Sequence, residues 1–270
     1  MENGYLSLEE VQEEELKILK NVTDFMEKNN LTYYLYAGTL LGAIRHKGFI
    51  PWDDDVDIFM PRDDYNKFIE LFNNKEIDEK YELKATILNN TKNPYAKVIN
   101  KNIVVDGESA EDKNLWIDIF PLDGSYNDEK EYLKLAKKIN FYGVLRYINT
   151  TKIKYILKQN RNPLNKLLKI ILKPITMILP MKHYAKKIEK WAMQNSYNEC
   201  EYVGVIVWGY DERWIKEEIF KDTVEVEFEN EKFNAPSGYD LYLKNNYGDY
   251  MKLPPHKARN THKIMAKRLN

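Results

Sequence analysis

Residues 53 to 57 read DDDVD, which places Asp53, Asp54, Asp55 and Asp57 within five positions. Val56, Ile58, Phe59 and Met60 give that stretch the short, apolar composition of a buried strand. Side chains alternate along a strand, so Asp55 and Asp57 share one face while Val56 and Ile58 enter a core on the other. Two carboxylates on one face repel unless a cation sits between them. A divalent ion with oxygen ligands, Mg2+ or in its place Mn2+, removes the repulsion and leaves positions open for phosphate oxygens. Asp53 has the same parity at the preceding turn and is assigned to substrate binding, whereas Asp54 points elsewhere.

The flanking sequence sets this strand in an alternating architecture. Ser7 and Glu10 form a capping-box pattern, and Leu8, Val11, Ile18, Leu19, Val22 and Met26 recur at helical spacing, predicting a helix over 8–28. LTYYLYA suits a strand ending near Ala37, Gly38-Thr39 opens a short helix, and Gly48 to Trp52 forms a turn. DDYNKFIELFNN reads as a helix capped by Asp63 or Asp64, and YELKATIL, AKVINKNIVV and LWIDIF read as further strands. A mixed sheet of about five strands flanked by helices, class α+β, is expected. Residues 128 to about 196 read as helices broken at Pro163, Pro174 and Pro180. One domain over 1–270 is expected, with a core of about 5–127 and 200–270 and a helical insertion at about 128–199.

A net charge of -1 points to neither a nucleic-acid partner nor an acidic tail, but its distribution is uneven. From Lys134 to Lys190 there are 15 Lys and Arg against Glu189, so that segment is +14 and the remainder -15. LNKLLKIILKPITMILPMK interleaves lysine with aliphatic residues, predicting peripheral contact of 134–190 with an anionic membrane. The competing expectation is a helix that packs its apolar face on the sheet and solvates its lysines. No long uncharged apolar run is present, Cys200 is the one cysteine, and MENGYLSLEEVQEEE lacks the order of a secretory signal. The expected location is the cytoplasm, at the inner face of the membrane.

Further residues join the acidic strand. Asp118 lies between Ile117 and Ile119 in an apolar strand, a costly place for an unpaired carboxylate unless the same metal is near. Gly38 and Thr39 lie where a strand gives way to a helix, whose free N–H groups and dipole suit a phosphate. Arg45 offers a two-pronged grip on phosphate, or else merely complements the C-terminal dipole of its helix. His46 and Lys97 are assigned to substrate binding, with a helix-end histidine and a solvated strand lysine as the plainer alternatives. Trp116, Trp208 and Tyr239 are candidate walls for a cationic head group. His256, Lys257, Arg259 and His262 are candidates to close over a nucleotide.

YAGTLLGAIRHKGFIPWDDDVDI, WIDIFPLDG and YDLYLKNNYGDYMKLPP, in that order, resemble motifs of the LicD family, over roughly residues 5–125 and 225–262. The resemblance implies a nucleotidyltransferase-like core of the polymerase-beta type, in which a Gly-Ser/Thr turn precedes an Asp-x-Asp strand. It implies transfer of phosphocholine from a CDP-choline donor to a hydroxyl of a cell-surface glycan or glycolipid precursor, of the lipopolysaccharide, teichoic acid or capsule kind. Asp55, Asp57 and Asp118 would then be catalytic metal ligands, and Gly38, Thr39 and Arg45 would contact the diphosphate. The same cradle would serve CDP-ribitol, CDP-glycerol or nucleotidyl transfer with release of pyrophosphate. A non-enzymatic alternative is a membrane- or partner-binding protein with a vestigial site.

Overall fold

Ser7 caps the first helix as its spacing predicts: its hydroxyl accepts the Glu10 N–H, and the Glu10 carboxylate accepts the Ser7 N–H. Helix α1 (Leu8–Lys28) then buries Val11, Ile18, Leu19, Val22 and Met26 against the sheet. Each such side chain contributes about 1.5–3 kcal/mol by leaving water. The computed structural model describes residues 4–74, 78–106, 113–158, 162–209, 213–256, 259 and 264–269. His262 and Lys257 lie outside the described residues.

After α1 come β1 (Tyr34–Leu35), α2 (Ala37–His46), β2 (Asp57–Pro61), α3 (Arg62–Asn73), β3 (Tyr81–Lys84), β4 (Ala96–Asp106) and β5 (Asn114–Gly124). Helices α4 (Glu129–Thr150), α5 (Ile153–Lys158), α6 (Pro163–Thr176) and α7 (Met181–Ala192) follow. The chain returns to the sheet through β6 (Tyr202–Gly204), β7 (Trp214–Ile215), α8 (Lys216–Ile219), a hairpin of β8 (Thr223–Phe228) and β9 (Glu231–Pro236), α9 (Tyr239–Tyr247) and β10 (Met265–Arg268). Among the described residues the main sheet has eight strands, with β1-β2-β5-β4-β10 as its spine. β2 and β5 run parallel and the other pairs are antiparallel. The fold is α+β and nucleotidyltransferase-like.

Several expectations shift. The sheet exceeds five strands because residues after 200 add β6, β7 and β10, whose two- to four-residue lengths give little periodicity to read. Asp55 precedes β2, which starts at Asp57. Helix α3 is capped at Pro61, with Asp63 and Asp64 inside its first turn. Pro174 lies within α6, which ends two residues later, while Pro163 opens that helix and Pro180 precedes α7. Proline is tolerated at a helix start, where its missing N–H has no intrahelical partner to lose. Tyr132, Leu135, Ile139, Ile188 and Ala192 of α4 and α7 share the core of the sheet.

Candidate active site

Strand register gathers the site. Asp118 on β5 stands opposite Asp57 on β2 and opposite Lys97 on β4, so Lys97, Asp118 and Asp57 form a row across three neighbouring strands. Registered partners on adjacent strands project to the same face. Two residues along, Phe59 and Phe120 extend that face as aromatic wall, with Tyr95 4.5 Å and Trp208 5.7 Å from the Phe120 ring. Val56 and Ile58 are buried on the opposite side, as the alternation requires.

Lys97 is a buried residue rather than a solvated one, and its Nζ lies 3.0 Å from Asp118 Oδ1. It also sits 4.1 Å from the Trp116 ring, whose Nε1 donates to Asp118 Oδ2 at 3.2 Å. The burial problem at Asp118 is therefore met by a lysine on the neighbouring strand. Asp57 is left worse off. Desolvation, then the charges of Asp55, Asp118 and Asp53, push its carboxyl well above the usual carboxylate range, and Lys97 only partly offsets them.

The strand-to-helix turn above the row is built to fix Asp57. The Thr39 hydroxyl accepts the Asp57 N–H at 2.9 Å, which ties the first turn of α2 to the start of β2. Tyr36 N–H donates to the Asp57 carbonyl from the other side. Ala37, between them, has φ 45°, a left-handed backbone that costs a non-glycine residue about 1 kcal/mol. At Gly38 a Cβ would lie 2.8 Å from Asp53 Oδ2, so the glycine makes room for that carboxylate beside the helix N-terminus. At Gly42 a Cβ would come 2.5 Å from the Gly48 carbonyl, so glycine lets α2 lie against the turn that leads back to β2.

Two predicted residues fall apart from this row. Arg45 and His46 end α2, about 10 Å along its axis from Gly38 at 1.5 Å per residue. Arg45 Nε donates to His46 Nε2 at 2.9 Å and Nη1 donates to the Tyr250 carbonyl at 2.8 Å. Burial and the Arg45 charge hold the His46 imidazole below its usual range, consistent with its accepting that hydrogen bond as a neutral ring. Trp52 packs edge-on to His46 and carries the Arg259 guanidinium 4.5 Å from its ring.

One participant escaped the sequence reading. Glu15 is fully buried on α1, its two carboxylate oxygens meet no hydrogen-bond donor among the described residues, and the charges of Asp55, Asp54, Asp53 and Asp57 all act on it. Desolvation first, and those charges second, raise its carboxyl well above the usual range. The signal was available: Glu15 falls within the apolar stripe of Val11, Ile18, Leu19 and Val22, where a carboxylate has no packing role. Asp54 is buried too, but is paired, accepting the Ile264 N–H at 2.8 Å.

A cavity of about 1090 Å³ lies elsewhere, between α3 and α7, lined by Asn66, Glu70, Ile87, Lys186 and Met193 among others. The carboxylate row is the candidate for chemistry all the same, because strand register sets Asp57, Asp118 and Lys97 side by side there.

Compared along its sequence, the chain is 32% identical over 264 residues to the lipopolysaccharide cholinephosphotransferase LicD of Haemophilus influenzae, covering 96% of this chain and 97% of that protein. This chain belongs to the LicD family. The LicD/FKTN/FKRP nucleotidyltransferase domain matches residues 30–144, a range that includes Asp57, Lys97 and Asp118. An uncharacterised protein of Rickettsia typhi is 42% identical over 55 residues, 20% of this chain and 18% of its own length. The chain is thus a LicD-type transferase, and the row of Lys97, Asp118 and Asp57 is its candidate active site.

Proposed function

We propose that this LicD-family enzyme transfers phosphocholine from CDP-choline to a hydroxyl of a lipopolysaccharide-type glycolipid, with Mg2+ held by Asp55 and Asp57. The observation that supports it is a gathering of carboxylates at the entry to β2. Asp55, Asp118 and Asp53 act on the desolvated Asp57 and hold its carboxyl well above the usual range, with Lys97 offsetting them in part. Mg2+ is bound in such sites by one or two carboxylates, with substrate phosphates and water as its remaining ligands. Asp55 and Asp57, two residues apart at the entry to β2, would supply carboxylate ligands of that kind. When bound, the ion would neutralise charge on the diphosphate of the donor.

The chain's own residues supply the remainder. Thr39 fixes the backbone of Asp57. Lys97 and Trp116 hold the Asp118 carboxylate from two sides. The acceptor hydroxyl oxygen attacks the phosphorus that carries choline, and the bond from that phosphorus to the bridging oxygen breaks. CMP departs with the electron pair, and the hydroxyl proton passes to Asp118. Catalysis of this kind rests on positioning and charge stabilisation more than on a covalent intermediate. The half-exposed Trp116 and Trp208 rings border the row and provide faces for a quaternary ammonium.

The test offers purified protein CDP-choline, CDP-ribitol, CDP-glycerol and CTP, with Mg2+, with Mn2+ and with chelator, and follows CMP and pyrophosphate. Metal-dependent CMP release from CDP-choline, absent in Asp55→Asn, is expected. Pyrophosphate from CTP would replace the proposal with nucleotidyl transfer. Turnover of another CDP-alcohol in preference to CDP-choline would reassign the donor.

A further inference from the structure

Helix α6 is inside out. Leu164, Leu167, Leu168, Ile171, Leu172 and Ile175 recur at i, i+3, i+4, i+7, i+8 and i+11, which sets them on one face of the helix. All six are exposed, by 37 to 60%, and Ile178 just beyond the helix is 78% exposed. The polar face turns inward instead. Lys173 Nζ donates to the carbonyls of Ile148, Asn149 and Thr151 at 2.9–3.0 Å, satisfying carbonyls at the end of α4 that have no helical partner. Lys166 Nζ donates to the Leu157 carbonyl at 2.9 Å, and Lys169 lies 4.7 Å from the Tyr147 ring. Thr176 is buried, its carbonyl accepting from the Asn149 side chain and the Tyr184 hydroxyl. The helix is therefore anchored by its lysines and presents its aliphatic row to the surroundings.

An exposed apolar row of this extent marks an interaction surface. We infer that its occupant is an anionic lipid bilayer, in which α6 lies flat with the aliphatic row among the acyl chains. Charge selects this occupant over a second copy of the chain. The segment 134–190 carries fifteen positive residues against one negative, so pairing two copies through α6 would bring +14 against +14. Anionic headgroups complement that charge, each nearby lysine adding to the attraction near the surface. The segments entering and leaving α6 expose Lys152, Lys154, Lys158 and Lys182 at the helix flanks. No helix among the described residues is long and apolar enough to cross a membrane, so the contact is one of lying on the surface. The inference deepens the proposed function by bringing the enzyme to the surface where an amphiphilic acceptor resides.

The experiment is vesicle flotation of the full chain without nucleotide, so its outcome is separate from that of the donor assay. Vesicles of phosphatidylglycerol with phosphatidylethanolamine are compared with phosphatidylcholine alone. Wild type is expected to partition at least about ten-fold better onto the anionic vesicles. L168E/I171E/I175E, at exposed positions that leave the fold intact, is expected to lose at least about ten-fold in binding to the anionic vesicles. K152E/K154E/K182E should keep the apolar row and lose the anionic preference. Hydrogen exchange on wild type provides a measure free of variants, with amides of 163–179 slowed by anionic vesicles. Wild type that stays with the unbound fraction, a glutamate variant that floats as wild type does, or unchanged exchange in α6 would overturn the inference. So would a concentration-dependent dimer abolished by the same three glutamates.

Discussion

Asp118 and Asp123 sit five residues apart on β5, and both are acidic side chains set into a strand of apolar neighbours. Asp123 is fully buried and closed: Arg62 Nε and Nη2 donate to its two oxygens at 2.6 and 2.7 Å, and Arg62 Nη1 reaches Glu189 at 3.3 Å. Asp123 keeps Arg62 firmly charged despite burial. Asp118 is paired with one lysine, but that lysine is shared with Asp57, and Asp55 and Asp53 stand behind. One centre is closed by hydrogen bonds and ion pairs within the protein. The other gathers Asp53, Asp55 and Asp118 around Asp57 beside Lys97, the arrangement of a candidate site, where the first is a clasp between elements, here β5, α3 and α7.

The contrast is broken most severely by Asp123→Asn. It leaves the buried Arg62 guanidinium with Glu189, 3.3 Å away, as its remaining carboxylate among the described residues, and urea unfolding should show a loss of about 3 kcal/mol, with turnover per folded molecule retained. Asp118→Asn inverts the pattern. Lys97 still has Asp57 nearby, so stability should fall by no more than about 1 kcal/mol, while turnover drops on the order of 10²-fold or more for want of the proton acceptor. Equal losses of stability in the two variants would erase the distinction between clasp and site.

The finest test concerns Glu15→Gln, which removes a buried carboxylate without changing shape. Wild-type Glu15 binds its proton more tightly in the folded state than in the unfolded chain, where the ordinary value is 4.5. The folded state thus holds the extra proton above that pH, so the contribution of Glu15 to stability is full below 4.5 and is lost as pH rises. Glu15→Gln should match wild type near pH 4.5 and exceed it by about 1 kcal/mol near pH 8, as read from paired urea titrations. A variant less stable than wild type at pH 8 would show that the carboxylate is held there by a cation already bound.

Much of this was legible along the chain. The bounds of α1 followed from its cap and stripe, and the strands that carry Asp57 and Asp118 followed from their apolar composition, whereas Asp55 falls before β2, outside the strand alternation that selected it. Lys97 and Glu15 were harder, since their meaning depends on strands and helices distant in sequence: Lys97 matters through the register of β4 on β5, and Glu15 through the packing of α1 beneath residues 53–57. Val224, Val226 and Phe228 alternate cleanly, and the β8–β9 hairpin they build was overlooked rather than hidden. For α6 both orientations stood open along the chain, the apolar face outward to a membrane or inward to the sheet. Amphipathicity fixes that a helix has two faces, and only the carbonyl ends of α4 decide which of them is drawn inward.

The bond from Ile264 to Asp54 has a consequence for synthesis. Residues 53–57 leave the ribosome early, as do β2 and the turn that holds Asp57, yet the carboxylate in their midst takes its N–H partner from the residue that leads into β10. β10 then pairs with β4 along Ile103–Asp106. A nascent chain can therefore assemble its sheet and most of its core while the acidic loop still lacks its last restraint. The hydrogen bond to Asp54 arrives with β10, after the strands around the acidic loop have been made.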